Sequence, residues 1–355
     1  MRNKIVLTLL AILLIFTLVG CGENTSDSVP QETTKPHTHV YKSSTVEATC
    51  TVEGYTIHTC DCGNSYKSNE THALGHKYVE REQNYKCLRC DRYEDEGFTF
   101  ELITSEMARY NDGYKGRVNT YEVKNISSKA VENGKVSIPR KHMGYAVTGI
   151  YRGALYSVRK TAAELFIPST IKYIGSSLVA YDGQFSTPTG TIALETIIFD
   201  NTCSNLNISH TAFQFCKNVS KISMPSNCIS TINHDDLVGN HFLFEDTLYY
   251  KTNRIEDNGL YYLFNILLES NQGKLGSTVS IKRGTTIISN RVFAGNTNIK
   301  TIEIPASVQY IGKKAFAQCV NISTIVYNGT ESQFNSIIIE KNAFEDCKTI
   351  SYQYN

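Results

Sequence analysis

The sequence predicts a mainly β solenoid, a pile of short coils around one apolar spine. It carries an inserted β-hairpin and is preceded by a small Cys/His-rich module. Three observations carry this. A phenylalanine anchor returns with the same run of residues behind it, and Phe293 and Phe316 are 23 positions apart. Each anchor is followed by isoleucines spaced as a short strand, and in the fuller copies by Pro and then an Ile-Gly pair. Five of the 11 cysteines (Cys50, Cys60, Cys62, Cys87, Cys90) crowd into the N-terminal quarter, while three others fall at one fixed position of the repeat.

The chain opens with Arg2 and Lys4, followed by an apolar run from Ile5 to Gly20. That run is too short for a comfortable transmembrane helix and has the form of a secretory signal, residues 1–20. Leu18-Val19-Gly20-Cys21 resembles a bacterial lipobox. The resemblance implies a diacylglycerol on the Cys21 thiol, cleavage before Cys21 and a lipid-anchored protein on the extracellular side of the bacterial cell membrane. Two or three acyl chains hold stably where one holds marginally. Residues 21–36 are polar, contain Pro30 and Pro36, and read as a flexible tether.

Residues 37–95 form the Cys/His-rich module. His37, His39, His58, His72 and His76 lie among its five cysteines. Cys60-Asp61-Cys62-Gly63 and Cys87-Leu88-Arg89-Cys90 are knuckle-like pairs. Together Cys60, Cys62, Cys87 and Cys90 can present four thiolates to a structural zinc, with His39 or His76 as alternate ligands. Oxidation to disulfides, which leaves one of the five odd, is the competing reading for an exported chain. Either way the segment is too short to fold on its core alone and needs a staple. Ala48-Thr49-Cys50-Thr51, Gly54, the first knuckle and Leu74-Gly75-His76 resemble small repeat modules of Gram-positive surface proteins. The second copy, from His76-Lys77-Tyr78, lacks the Thr-Cys-Thr element.

The solenoid is read over 97–355. Its template runs small-Phe-x-x-(Asn/Cys)-x-x-Ile-x-x-Ile-x-Ile-Pro, then Val-x-x-Ile-Gly. Phe213, Phe293, Phe316 and Phe344 take the anchor; Cys216, Asn296, Cys319 and Cys347 take the position three further on. Leu155 and Leu178 are weaker anchors, and Leu237 is a degenerate one. One unit cannot bury its own Ile and Phe, but stacked units bury them in a continuous core. The isoleucine run is a strand, Pro closes its ladder because it cannot donate, and Gly is assigned the turn that follows. The Asn or Cys is assigned to buried capping of loop backbone, with a Cys319–Cys347 disulfide as the alternative. The longest gap holds an insertion at about 241–275, where Phe242–Tyr250 and Leu260–Leu268 read as strands of a hairpin about Glu256-Asp257-Asn258-Gly259.

These residues resemble the BspA-like leucine-rich repeats of bacterial surface proteins. The matching segments are Ala315-Phe316-x-x-Cys319-x-x-Ile322-x-x-Ile325 and Ile304-Pro305-x-x-Val308-x-x-Ile311-Gly312. Val136 to Ile150 looks like an opening coil. The resemblance implies binding of an extracellular protein or glycan, as in adhesion to host or neighbouring cells. The alternatives are a structural envelope protein without specific ligand and a metal- or glycan-capturing lipoprotein. Tyr173, Tyr310, Lys300 and Glu303 are candidates for the binding face. With 35 basic against 34 acidic residues there is no field for nucleic acid. No phosphate loop, His-Glu-x-x-His or Gly-x-Ser-x-Gly elbow is present, so no enzyme is expected.

Overall fold

The computed structural model describes residues 38–81, 84–110, 114–180, 188, 190–233 and 242–355. The leader, Cys21, the tether, His37 and Leu237 lie outside them. From residue 98 onward the chain winds as a β solenoid with little helix. Among the described residues no helix is long and apolar enough to cross a membrane.

Two parallel ladders run along the solenoid. The first begins with Lys135–Ser137, Glu164–Ile167, Thr196–Phe199 and Lys221–Ser223. After an interruption it continues with Thr278–Ser280, Thr301–Pro305, Thr324–Asn328 and Ser351–Tyr354. The second contains the Tyr-Ile strands, among them Tyr173–Ile174 and Tyr310–Ile311. Register follows the repeat. Val136, Leu165, Ile197 and Ile222 form one row, and Val279, Ile302 and Ile325 another. Successive side chains of a strand point to opposite faces, so these residues enter the core while their neighbours face out. Each fully buried Ile or Leu contributes about 1.5–3 kcal/mol.

The anchors stack as a column of rings. Phe293 and Phe316 lie 5.0 Å apart at 10°, Phe316 and Phe344 4.9 Å apart at 2°. Each of these coils bends through two left-handed residues flanking its Phe: Arg291 and Gly295, Lys314 and Gln318, Asn342 and Asp346. Next to the second of these sits the capping residue. Asn296 Oδ1 accepts from Asn298 N at 2.8 Å and Ile299 N at 3.0 Å. Cys319 Sγ donates to Phe293 O at 3.0 Å and Cys347 Sγ to Phe316 O at 3.1 Å. The two thiols are thus directed at backbone carbonyls of the preceding coil, whereas the Asn296 amide oxygen accepts from backbone N–H groups of its own coil.

Three local readings are corrected. Gly312 does not serve a turn: its φ is not left-handed, and a Cβ there would lie 2.7 Å from the backbone N of Asn290. It lets two coils touch, as Gly175 does against Arg152 N, also 2.7 Å away. Phe242–Tyr250 is no strand. Thr247 Oγ1 accepts from Tyr250 N at 3.1 Å and caps the short helix Leu248–Asn253. The hairpin is smaller, Ile255–Asp257 against Leu260–Leu263, about Asn258 and Gly259 with φ of 50° and 85°. Leu260–Leu268 is likewise not one strand. Phe264, at φ 56°, reverses the chain so that Ile266–Ser270 pairs with Leu260–Leu263 and, on its other edge, with Ile287–Ile288.

Among the described residues parallel pairing therefore stops after Ile229–Asn233 and resumes at Ile266–Ser270. The core does not stop with it. Leu263, Ile266, Leu268 and Ile287 join the same apolar cluster as Phe213 and Ile232. Phe244 carries the ring column on, stacked 5.3 Å from Phe213 at 8°. Tyr310 Oη donates across the break to Ile232 O at 2.9 Å, and Asn290 Nδ2 to the same oxygen at 3.3 Å.

The N-terminal module has its own strands, Tyr41–Val46, Gly54–Cys60 and Ser65–Thr71 in one antiparallel sheet, then the hairpin Tyr78–Arg81 and Asn84–Cys87. It meets the opening coil through charges. Arg140 Nη1 lies 2.5 Å from Glu94 Oε1, His142 Nδ1 2.7 Å from Asp95 Oδ2 and Arg92 Nε 2.8 Å from Glu132 Oε1. Lys141 pairs with Glu80. Burial pushes the Glu94 carboxyl up, partly offset by Arg140.

Candidate functional site

Among the described residues two places offer chemistry to a ligand: the outward side of the first ladder and the cysteine clusters of the N-terminal module.

The outward side is built by the strand alternation itself. In the C-terminal stack Thr278, Thr301, Thr324 and Ser351 share one row, and Ser280, Glu303, Val326 and Gln353 share another. The N-terminal stack presents Lys135, Glu164, Thr196 and Lys221 in one row. Ser137, Phe166, Ile198 and Ser223 follow in the next, where Phe166 and Ile198 are half-exposed. The result is an open strip of hydroxyls and charges with an apolar step in it. Lys300 is exposed beside it. Glu303 lies in it and accepts from Ser280 Oγ at 2.6 Å.

The two tyrosine candidates are placed elsewhere. Tyr310 is 0 % exposed, a correction to its assignment to the face. Burial, with Glu340 3.2 Å away, pushes its phenol well up. It is buried because it fills the step between the two stacks. Tyr173 is half-buried, with the Arg117 guanidinium 4.8 Å over its ring. That guanidinium in turn pairs with buried Glu122 at 3.1 Å, whose carboxyl burial pushes up against the pull of Arg117.

The four cysteines proposed as one zinc set are divided. Cys60 N donates to Asn64 O at 2.8 Å in one turn and Cys87 N to Arg92 O at 3.0 Å in another, which holds the two knuckles in separate places. Cys60 and Cys62 converge with His39; Cys87 and Cys90 converge with His76 and with Cys50. Within each group the ligand atoms lie within 4.8 Å of one another. In the first group Cys62 Sγ is 3.2 Å from His39 Nδ1. The backbone N–H of Cys62 and the His39 side chain lower the Cys60 thiol to about 6.

In the second group Cys50 Sγ is 3.7 Å from Cys87 Sγ, and Cys90 Sγ is 3.4 Å from His76 Nδ1. Burial raises the Cys87 thiol, but the N–H of Arg89, 3.3 Å from its sulfur, and the His76 ring outweigh it and bring it to about 6. Burial and the neighbouring thiols push Cys50 up to about 11. Cys50 was legible only as part of a Thr-Cys-Thr turn. Its sulfur faces a knuckle 37 positions downstream, and no local spacing announces that.

Residues 270–353 match the BspA type leucine rich repeat region in six copies, so this C-terminal part of the solenoid is a BspA-type repeat array. Among solved structures the chain is similar to a leucine rich cell surface protein from Faecalibacterium prausnitzii. The identity is 14 %, coverage is 74 % of this chain and 94 % of that one, and the TM-score is 0.25. It is similar to a leucine rich repeat protein of T. pallidum at 14 % identity, with 73 % and 84 % covered and a TM-score of 0.28. A leucine-rich repeat protein from Bacteroides ovatus is similar at 17 %, with 73 % and 70 % covered and a TM-score of 0.27. No curated protein matches the chain.

Proposed function

We propose that the protein is a lipid-anchored surface scaffold, held by Cys21 on the extracellular side of the membrane, whose solenoid binds an extracellular protein or glycan without catalysis. The observation that carries this reading is the open strip of the first ladder. Its outward side chains are set in straight rows by the strand register, and an extended polymer or a flat protein surface can meet many of them at once. Solenoids give such broad faces rather than the enclosed, preorganised pockets that catalysis uses. The polar tether supports a role at a distance from the membrane.

The test is saturable binding of the full-length chain, in mild detergent, to immobilised matrix proteins, whole bacterial cells and a glycan array. Binding is expected to fall at least tenfold in a Thr301→Glu/Thr324→Glu variant whose melting is unchanged, because the two outward hydroxyls become charges. No saturable partner, or full binding by that variant, overturns the reading. Mass spectrometry of the mature N-terminus is expected to find Cys21 acylated; an unmodified Cys21 removes the anchor.

A further inference from the structure

The second cysteine cluster is a more specific site than the sequence spacing suggests. We infer that Cys50, His76, Cys87 and Cys90 form a closed tetrahedral zinc site that ties the N-terminal module to the opening coil of the solenoid through Glu132.

The distances fit the metal. Zinc with Zn–S of about 2.3 Å and Zn–N of about 2.0–2.1 Å sets tetrahedral edges of about 3.8 Å between sulfurs and about 3.6 Å between sulfur and nitrogen. The cluster has 3.7 Å between Cys50 Sγ and Cys87 Sγ and 3.4 Å between Cys90 Sγ and His76 Nδ1. A disulfide needs sulfurs about 2.05 Å apart and uses two of them. It leaves unexplained why a third thiol and an imidazole nitrogen point at the same spot. Three thiolates and an imidazole in a tetrahedral set select zinc among the common divalent ions.

The surroundings are those of a built site. The His76 side chain is only 7 % exposed, and Cys87 is 5 % exposed. With Nδ1 turned to the thiols, Nε2 faces Glu132 Oε2 at 2.9 Å, as an ionic contact off the N–H axis rather than an aligned hydrogen bond. Metal-bound histidines characteristically give their other nitrogen to a carboxylate, which fixes the ring and raises its basicity. Glu132 belongs to Val131–Glu132, on the solenoid side, and its other oxygen holds Arg92 of the module. Around the same seam Asn133 Nδ2 donates to Thr51 O at 2.9 Å, next to Cys50. Three thiolates and one zinc leave a net negative charge, and Arg89 and Arg92 border the cluster.

The ligand set also spans the module. Cys50 comes from the turn before Gly54–Cys60, His76 from the start of the hairpin, and Cys87 and Cys90 from its end. Such a site closes what a module of this size cannot close by apolar burial. Among the described residues the other group, His39, Cys60 and Cys62, offers three ligands, whereas the second offers four.

Elemental analysis of the full-length chain in mild detergent, after exposure to zinc and a weak chelator, tests this. One zinc per chain is expected, lost in Cys50→Ser and in Cys87→Ser, retained in Cys50→His and in a Cys60→Ser/Cys62→Ser double variant. Cobalt(II) in place of zinc is expected to give the visible spectrum of a tetrahedral three-thiolate site, with one thiolate fewer in Cys50→His. Glu132→Gln is expected to keep the tetrahedral spectrum while zinc affinity falls about 10- to 100-fold in chelator competition. Zinc lost with Cys60 and Cys62 but kept without Cys50 overturns the assignment. So does a reduced chain that takes up no zinc, loss of zinc from Cys50→His, or an affinity that Glu132→Gln leaves unchanged.

Discussion

Replacing Phe316 by Ala tests the ring column directly. Phe316 is fully buried and has a ring on each side, Phe293 at 5.0 Å and Phe344 at 4.9 Å. Truncating a buried Phe costs about 3–5 kcal/mol, with the higher values where the site cannot collapse. Two stacked pairs add about 0.5–1.5 kcal/mol each beyond area. The neighbouring coils are locked by backbone bonds from Phe293 N to Ala315 O and from Phe316 N to Ala343 O, both 2.8 Å, so collapse into the gap is resisted. The expected loss for Phe316→Ala is about 4–5 kcal/mol. Phe344 is only partly buried and has one ring partner among the anchors, so Phe344→Ala is expected to cost about 2 kcal/mol. Urea unfolding of the full-length chain, followed by circular dichroism, gives both numbers from shifts in midpoint. Equal losses for the two variants, or a loss below about 1.5 kcal/mol for Phe316→Ala, refute the shared column.

Gly312→Ala is expected to destabilise by about 1–3 kcal/mol because its Cβ meets Asn290 N at 2.7 Å and Asn290 Oδ1 at 2.4 Å, and the backbone nitrogen cannot swing away. Gly295→Ala meets nothing within 4 Å but sits at φ 78°, so about 1 kcal/mol is expected there; thermal melts of the two compare steric and torsional cost. Cys203 and Cys228 are buried with their sulfurs 2.6 Å apart, so within the solenoid oxidation is expected to join this pair in preference to Cys319 and Cys347. Peptide mapping that finds Cys319 joined to Cys347 instead contradicts this, since those thiols are directed at carbonyls. A Cys203–Cys228 bond closes a loop for which chain entropy predicts about 3.5 kcal/mol of stabilisation.

The solenoid was legible because its code is local. Ile302 and Ile325 declare their inward position by alternation within their own strands, and the 23-residue return of Phe293 and Phe316 declares the period. The cysteine cluster was half legible. The knuckle pairs are visible in the spacing, but the convergence of Cys50 on the second pair depends on how two hairpins are set against each other. Tyr310 shows the same limit. It follows the template of Tyr173, yet one is sealed at the step between stacks and the other lies under Arg117.

The sequence alone determined what each short segment wants: which side chains must leave water, where Pro stops a ladder and which residues are able to ligate a metal. Tertiary structure decided the neighbours. It stacked Phe244 on Phe213, made Gly312 a contact between coils, and put Glu132 behind His76. The physical reason is range. Burial tendency and torsional preference act within a few residues, whereas ring stacking, backbone approach and ligand geometry depend on distances between segments that are set only when the coils have packed.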